Sequence, residues 1–191
     1  IFILMKGIYM RSLIFLILFL VGCSSTSSNF LDFSTPEKTQ AETTVDDFKS
    51  RVGYLASDKL GGRSAGSKGD MLAKEYMVNL FEKSSSSVEV QDFEVITNRR
   101  TGDTAVTHNV IGVLPGNDPE LKEEYVIIGG HYDTTANPPK ARKLFFDNIN
   151  NGADDNASGT AMVLELFEKY AATKNHKRTL VFILFGGEEL G

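Results

Sequence analysis

Tyr125-Val126-Ile127-Ile128-Gly129-Gly130 and Thr179-Leu180-Val181-Phe182-Ile183-Leu184-Phe185 are two uninterrupted apolar runs. Neither alternates, so each suits a strand covered on both faces. Between them, Ser158 to Ala172 has helical spacing: Ala161, Leu164 and Ala171 form one stripe, and Val163, Phe167 and Tyr170 the adjoining one. Strand, helix, strand in this order makes a βαβ unit with a parallel pair and a right-handed crossover. Working outward, Val88 to Val95 alternates like a half-buried strand, Thr101-Gly102-Asp103 reads as a turn, and His108 to Leu114 is a further strand closed by Pro115-Gly116. Helical spacing recurs over Val45 to Leu55 and over about Lys68 to Lys83, on either side of the Gly-rich loop Leu60 to Ser67. The fold class is α/β: a mixed, partly parallel sheet with helices on both faces.

The chain has 191 residues, 41% hydrophobic and 24% charged, which fits one globular domain and excludes disordered and collagen-like classes. Three segments are expected. Residues 1–22 form a signal peptide, with over-read before Met5. Lys6 and Arg11 supply its positive region, and Leu13 to Val21 are nine apolar residues, short for a membrane span. Leu20-Val21-Gly22-Cys23 resembles a bacterial lipobox. The resemblance implies cleavage before Cys23, a lipid on its sulfur and a lipid-anchored place in the bacterial cell envelope. Residues 23–44 are a lipidated cysteine and a flexible linker, opening with the polar run Ser24 to Asn29. Residues 45–191 are the folded domain. Its last apolar run ends close to Gly191 with no following element to cover it, so the domain is expected to continue. Removing Lys6 and Arg11 takes the formal charge from −5 to −7, and an acidic surface disfavours nucleic acid as a partner. One cysteine excludes an intrachain disulfide and a Cys-rich zinc site.

Both apolar runs end in residues that a buried strand does not need. The first leads into His131-Tyr132-Asp133 and the second into Glu188-Glu189. The crossover helix is preceded by Gly152-Ala153-Asp154-Asp155-Asn156-Ala157-Ser158-Gly159. Ligands of parallel α/β sheets gather at the carboxyl ends of strands. One histidine and five carboxylates are therefore expected at one edge: His131, Asp133, Asp154, Asp155, Glu188 and Glu189. Carboxylates so crowded repel unless cations neutralise them. An imidazole among carboxylates suits zinc, and a zinc pair needs a bridging ligand. His131 and Asp133 lie two apart on a strand and share a face, so Asp133 can hold the imidazole in its ligating tautomer.

The blocks Gly129-Gly130-His131-Tyr132-Asp133, Gly152 to Gly159 and Phe185-Gly186-Gly187-Glu188-Glu189 resemble the di-zinc exopeptidases of metallopeptidase family 28. Leu60 to Ser67 and His108 to Gly116 look like upstream landmarks of that family. The resemblance spans about Val45 to Gly191. It implies two zinc ions, with His131 on one, Asp154 bridging both and Glu189 on the second. Glu188 is implied to be the general base, taking a proton from the attacking water and returning it to the leaving amine. Asp133 is implied to orient His131, and Asp155 to follow Asp154 across a cis peptide bond. An Asp and a His further along are implied to complete the ligand set. His176, in a basic loop, and His108, upstream of its strand, are expected away from the acidic edge.

The implied activity is hydrolysis of peptides from one end, as an aminopeptidase. Carboxypeptidase action, glutaminyl cyclisation on the same fold, and a metal-free receptor or scaffold are the alternatives. Gly62-Arg63-Ser64-Ala65-Gly66 also fits a serine nucleophile elbow, but that motif needs a strand before it, where this sequence has a helix and a turn. Gly61 to Lys68 misses the phosphate-loop pattern by the order of Ser67-Lys68. The segment Thr134 to Asn151 suits a substrate-pocket wall and surface packing equally.

Overall fold

The structure, a computed structural model, describes residues 3–6, 44–84, 87–135 and 149–191. The leader beyond Lys6, Cys23 with its expected lipid, the linker up to residue 43 and most of the Thr134–Asn151 segment lie outside the described residues. Among the described residues no helix is long and apolar enough to cross a membrane.

Five strands form one sheet in the order β1-β4-β5-β3-β2. They are β1 (Ile3–Lys6), β2 (Val88–Asn98), β3 (Asp103–Leu114), β4 (Glu124–His131) and β5 (Thr179–Phe185). Strands β4 and β5 are parallel, with Tyr125 beside Thr179 and His131 beside Phe185. All the other pairings are antiparallel. The mixed α/β class expected from the sequence is the class found. Strand β5 is central, bonded to β4 on one side and to β3 on the other. Strand β3 begins five residues before the expected His108, because Asp103 to Thr107 continue the hairpin with β2 without the run of apolar residues that marks the rest of the strand.

Of three helices, α1 (Val45–Leu55), α2 (Lys68–Ser84) and α3 (Ser158–Thr173), α2 and α3 pack on each other and against one face of the sheet, and α1 packs on α3. That face carries Val110, Leu114, Ile128, Leu180, Phe182 and Leu184, all in the buried core. Phe167 of α3 stacks at 4.2 Å from Phe81 of α2 and meets Phe182 edge-on at 5.3 Å, geometries that aromatic quadrupoles favour. The opposite face carries Tyr125, Ile127, Val181 and Ile183, and the second helical layer expected there is not among the described residues. Thr44 and Asp47 close a reciprocal cap on α1. Arg51 of α1 reaches Glu165 and Glu168 of α3, bracing the two helices.

Helix α2 starts against the turn that precedes it. A Cβ on Gly69 would lie 1.6 Å from the Leu60 carbonyl oxygen, backbone that no side-chain rotation can clear. Gly69→Ala should therefore destabilise the fold by ~3 kcal/mol, the upper end of ordinary overpacking, or more. Urea unfolding of the variant beside the parent measures this.

Candidate metal centre

The parallel register of β4 and β5 brings their carboxyl ends level, which sets the site. His131 ends β4. Beyond Phe185, Gly187 adopts φ 74 and turns the chain into a short 3₁₀ turn, Glu188–Leu190, a conformation glycine adopts without penalty. The Gly152–Ser158 segment enters from the front of α3 and is irregular: Asp155 (φ −117, ψ 96) and Asn156 (φ −135, ψ 47) leave helical geometry. The Asn156 side chain takes the Gly159 amide at 2.9 Å. The cis peptide bond lies between Asp155 and Asn156, one residue beyond the position implied by the family resemblance.

His131 is the hub. Its Nδ1 lies 3.2 Å from the Asp133 carbonyl oxygen. A carbonyl only accepts, so Nδ1 is the donor in this contact, and Nε2 is the nitrogen left for a metal. Nε2 faces Asp155 Oδ1 at 3.1 Å and Glu188 Oε2 at 3.8 Å. Thr160 of α3 donates its hydroxyl to the His131 carbonyl at 2.8 Å, fixing the backbone beneath the ring.

Asp133 does not act on the ring through its carboxylate, as expected above. Its Oδ1 is 3.7 Å from Nδ1, beyond a hydrogen bond. The carboxylate instead accepts the Glu188 amide at 3.1 Å and the Glu189 amide at 3.3 Å. Asp133 thus fastens the Glu188–Glu189 turn to the end of β4, while its backbone carbonyl orients the imidazole. Burial pushes its carboxyl above the usual range, and these two amides and His131 oppose the shift. Glu189 is also pushed upward, first by burial and then by the negative charge of Asp155.

The structure separates the two adjacent aspartates. Asp155 reaches His131. Asp154 is exposed, and its carbonyl accepts the Ser158 hydroxyl at 2.9 Å. His176 bonds the Pro115 carbonyl at 3.1 Å, and His108 pairs with Asp92 at 2.7 Å, both apart from the His131 cluster.

Sequence reasoning weighed the Leu60–Ser67 loop as a landmark, a nucleophile elbow and a phosphate loop, and missed the part played by Arg63. Its side chain is fully buried. Nε donates to the Tyr132 carbonyl at 2.7 Å, Nη1 to Asn151 at 2.9 Å and to Leu55, and Nη2 to Gly152 at 3.2 Å. Burial lowers its pKa to about 10, with Asp133 opposing, so it is charged at neutral pH. The same loop grips Tyr132 at its far end: Asp70, buried at the start of α2, accepts the phenol at 2.5 Å and the Gly66 amide at 2.7 Å.

The donors match zinc in kind, and one pair matches it in spacing. Two ligands on one tetrahedral zinc lie about 3.3 Å apart, and His131 Nε2 and Asp155 Oδ1 are separated by 3.1 Å. Among the described residues, no group of three or more such side chains is close enough together to hold an ion as it stands.

Residues 109–191 match the sequence profile of peptidase family M28. A probable zinc metalloprotease of Pyrenophora teres f. teres is 40% identical over 82 residues, covering 43% of this chain and 16% of that protein. A probable leucine aminopeptidase of Arthroderma otae is 36% identical over 90 residues, covering 44% of this chain and 21% of that protein. The chain thus spans less than a quarter of the length of these curated relatives. The crystal structure of Fimbriiglobus ruber glutaminyl cyclase superposes with a TM-score of 0.60 at 24% identity, over 78% of this chain and 48% of that one. The chain therefore has the zinc-peptidase-like fold that M28 peptidases share with glutaminyl cyclases.

Proposed function

We propose that the full-length protein is a zinc-dependent metallo-exopeptidase, acting as an aminopeptidase on the N-terminal residues of peptides. The observation that carries this is His131 Nε2 turned toward Asp155 and Glu188 at the sheet edge, with Glu189 beside them. His131, Asp155 and Glu189 are the residues that would hold metal, with Asp155 taking the bridging place first assigned to Asp154. Two ions are proposed, from the family pattern. Zinc, when bound, acidifies water and polarises the substrate carbonyl. Glu188, on the open side of the cluster, takes the proton of the attacking water and passes it to the leaving amine. Asp133 holds Glu188 in place by accepting its amide. A lipid on Cys23 would anchor the enzyme in the bacterial cell envelope.

Glutaminyl cyclisation is the second reading, favoured by the fold shared with the Fimbriiglobus ruber enzyme. The two are separated by assaying the full-length protein on leucine anilide and on a peptide with N-terminal glutamine. Release of the aniline, abolished by a chelator and restored by zinc, supports the peptidase. Loss of ammonia from the glutamine peptide with no anilide cleavage supports the cyclase. Neither reaction in the zinc-loaded protein rules out both.

A further inference from the structure

We infer that Arg63 is a positioning residue that sets the spacing of His131 and Asp155 by tying the two backbones that carry them to one buried guanidinium. The inference rests on these two residues being metal ligands, as proposed above. Arg63 lies outside the residues that match the family profile, and its role is drawn from its contacts alone.

Four carbonyls converge on the side chain: Leu55, Tyr132, Asn151 and Gly152. They belong to three segments far apart in sequence, the end of α1, the end of β4 and the approach to the Asp154–Asp155 turn. The Gly152 carbonyl also accepts the Ala157 amide at 3.0 Å, while the other three stand where the helix and strand ladders give out, and buried carbonyls need donors. Arginine is the side chain that can serve them, because its planar fork carries five N–H donors in fixed directions. Tyr132 adjoins His131 in the chain, and Gly152 precedes Asp155 by three residues. The guanidinium therefore fixes, through two covalent paths, the separation that places Nε2 at 3.1 Å from Asp155. Its charge faces Asp133, the carboxylate that holds the Glu188 and Glu189 amides. The backbone of Arg63 turns through φ 49 to aim the side chain inward.

Lysine keeps the charge but has a single flexible ammonium, which cannot span four carbonyls in a plane. Arg63→Lys in the full-length protein should fold, with an unchanged far-ultraviolet spectrum, and bind zinc about 10–100-fold more weakly, the loss typical of groups that orient metal ligands. Zinc competition against a chromogenic chelator reads this without any activity assay. Arg51→Met is the control: Arg51 braces α1 to α3 through Glu165 and Glu168, so its loss should lower the melting temperature and leave zinc affinity within about twofold. Parent-like affinity in Arg63→Lys overturns the assignment. So does an equal loss of affinity in Arg51→Met, which would make the effect one of general stability. If Arg63→Lys does not fold, Arg63→Gln takes its place with the same outcomes, and failure of both to fold replaces positioning with a purely structural role. A parent protein that binds no zinc overturns the proposed function instead, which keeps the two failures distinct.

Discussion

Glu188→Gln in the full-length protein should keep its zinc and lose turnover by about 10²–10⁴-fold, the usual contribution of positioned proton transfer. Glu189→Gln should lose zinc occupancy and rate together, with added zinc restoring part of the rate. The two residues adjoin in sequence, but their surroundings differ. The Glu188 side chain is 60% exposed and stands 3.8 Å from the His131 ring nitrogen. An amide of the same shape cannot take a proton, yet it disturbs no ligand. Burial and the charge on Asp155 push the Glu189 carboxyl upward, so in the metal-free protein it holds its proton to higher pH than an ordinary glutamate. A cation among these carboxylates reverses that balance, and zinc binding should weaken as pH falls into the range where Glu189 takes up its proton. Metal content and anilide turnover, measured on both variants with zinc titrated in, check the pair. Loss of metal in Glu188→Gln with retention in Glu189→Gln exchanges the two assignments. Full activity in both variants removes the peptidase mechanism.

Asp155→Ala should weaken zinc binding by about a hundredfold or more, beyond what loss of an orienting neighbour costs, and abolish turnover. Asp154→Ala should bind zinc within about threefold of the parent, an effect of its distant charge alone. Both side chains are exposed, but Asp155 is 3.1 Å from His131 Nε2, whereas the Asp154 contact to Ser158 runs through its backbone oxygen. Both variants keep the glycines and Asn156 that shape the turn, so the comparison isolates the carboxylate. Dialysis against a zinc buffer followed by metal analysis decides it. The opposite ranking restores Asp154 as the bridging residue.

Hydrophobic spacing was enough to find α1, α2, α3 and β5 to within about two residues, because each buries one stripe or one run of apolar side chains. It also located the acidic edge, since strand ends are marked by an abrupt change from apolar to charged residues. The choice between Asp154 and Asp155 was not legible. It depends on where helical geometry breaks, and that break falls at Asp155 and Asn156, inside a run of small and polar residues with equal claims to the turn. The partner of the Asp133 carboxylate was hidden for a related reason. Strand periodicity places Asp133 on the face of His131, but the amides of a turn 55 and 56 residues later are better donors than the ring. Arg63 gave a weaker signal still. A lone arginine after two glycines reads as a surface charge. Only the irregular backbones converging on it show why it is buried.

The strand order carries a consequence for how the sheet is made. Strands β3 and β4 are neighbours in sequence, yet β5 lies between them. The hairpin of β2 and β3 can close early on local pairing, but the inner edges of β3 and β4 stay bare until residues 179–185 arrive. Closing the sheet is then a single non-local step, slow by the rule that distant contacts cost more loop entropy before they reward it. The same step brings the Glu188 and Glu189 amides onto Asp133. During synthesis, a ribosome that has not yet released Phe185 holds a chain with two open strand edges and half of the proposed metal site. It is then most exposed to edge-to-edge association, and the insertion that ends that exposure also assembles the chemistry.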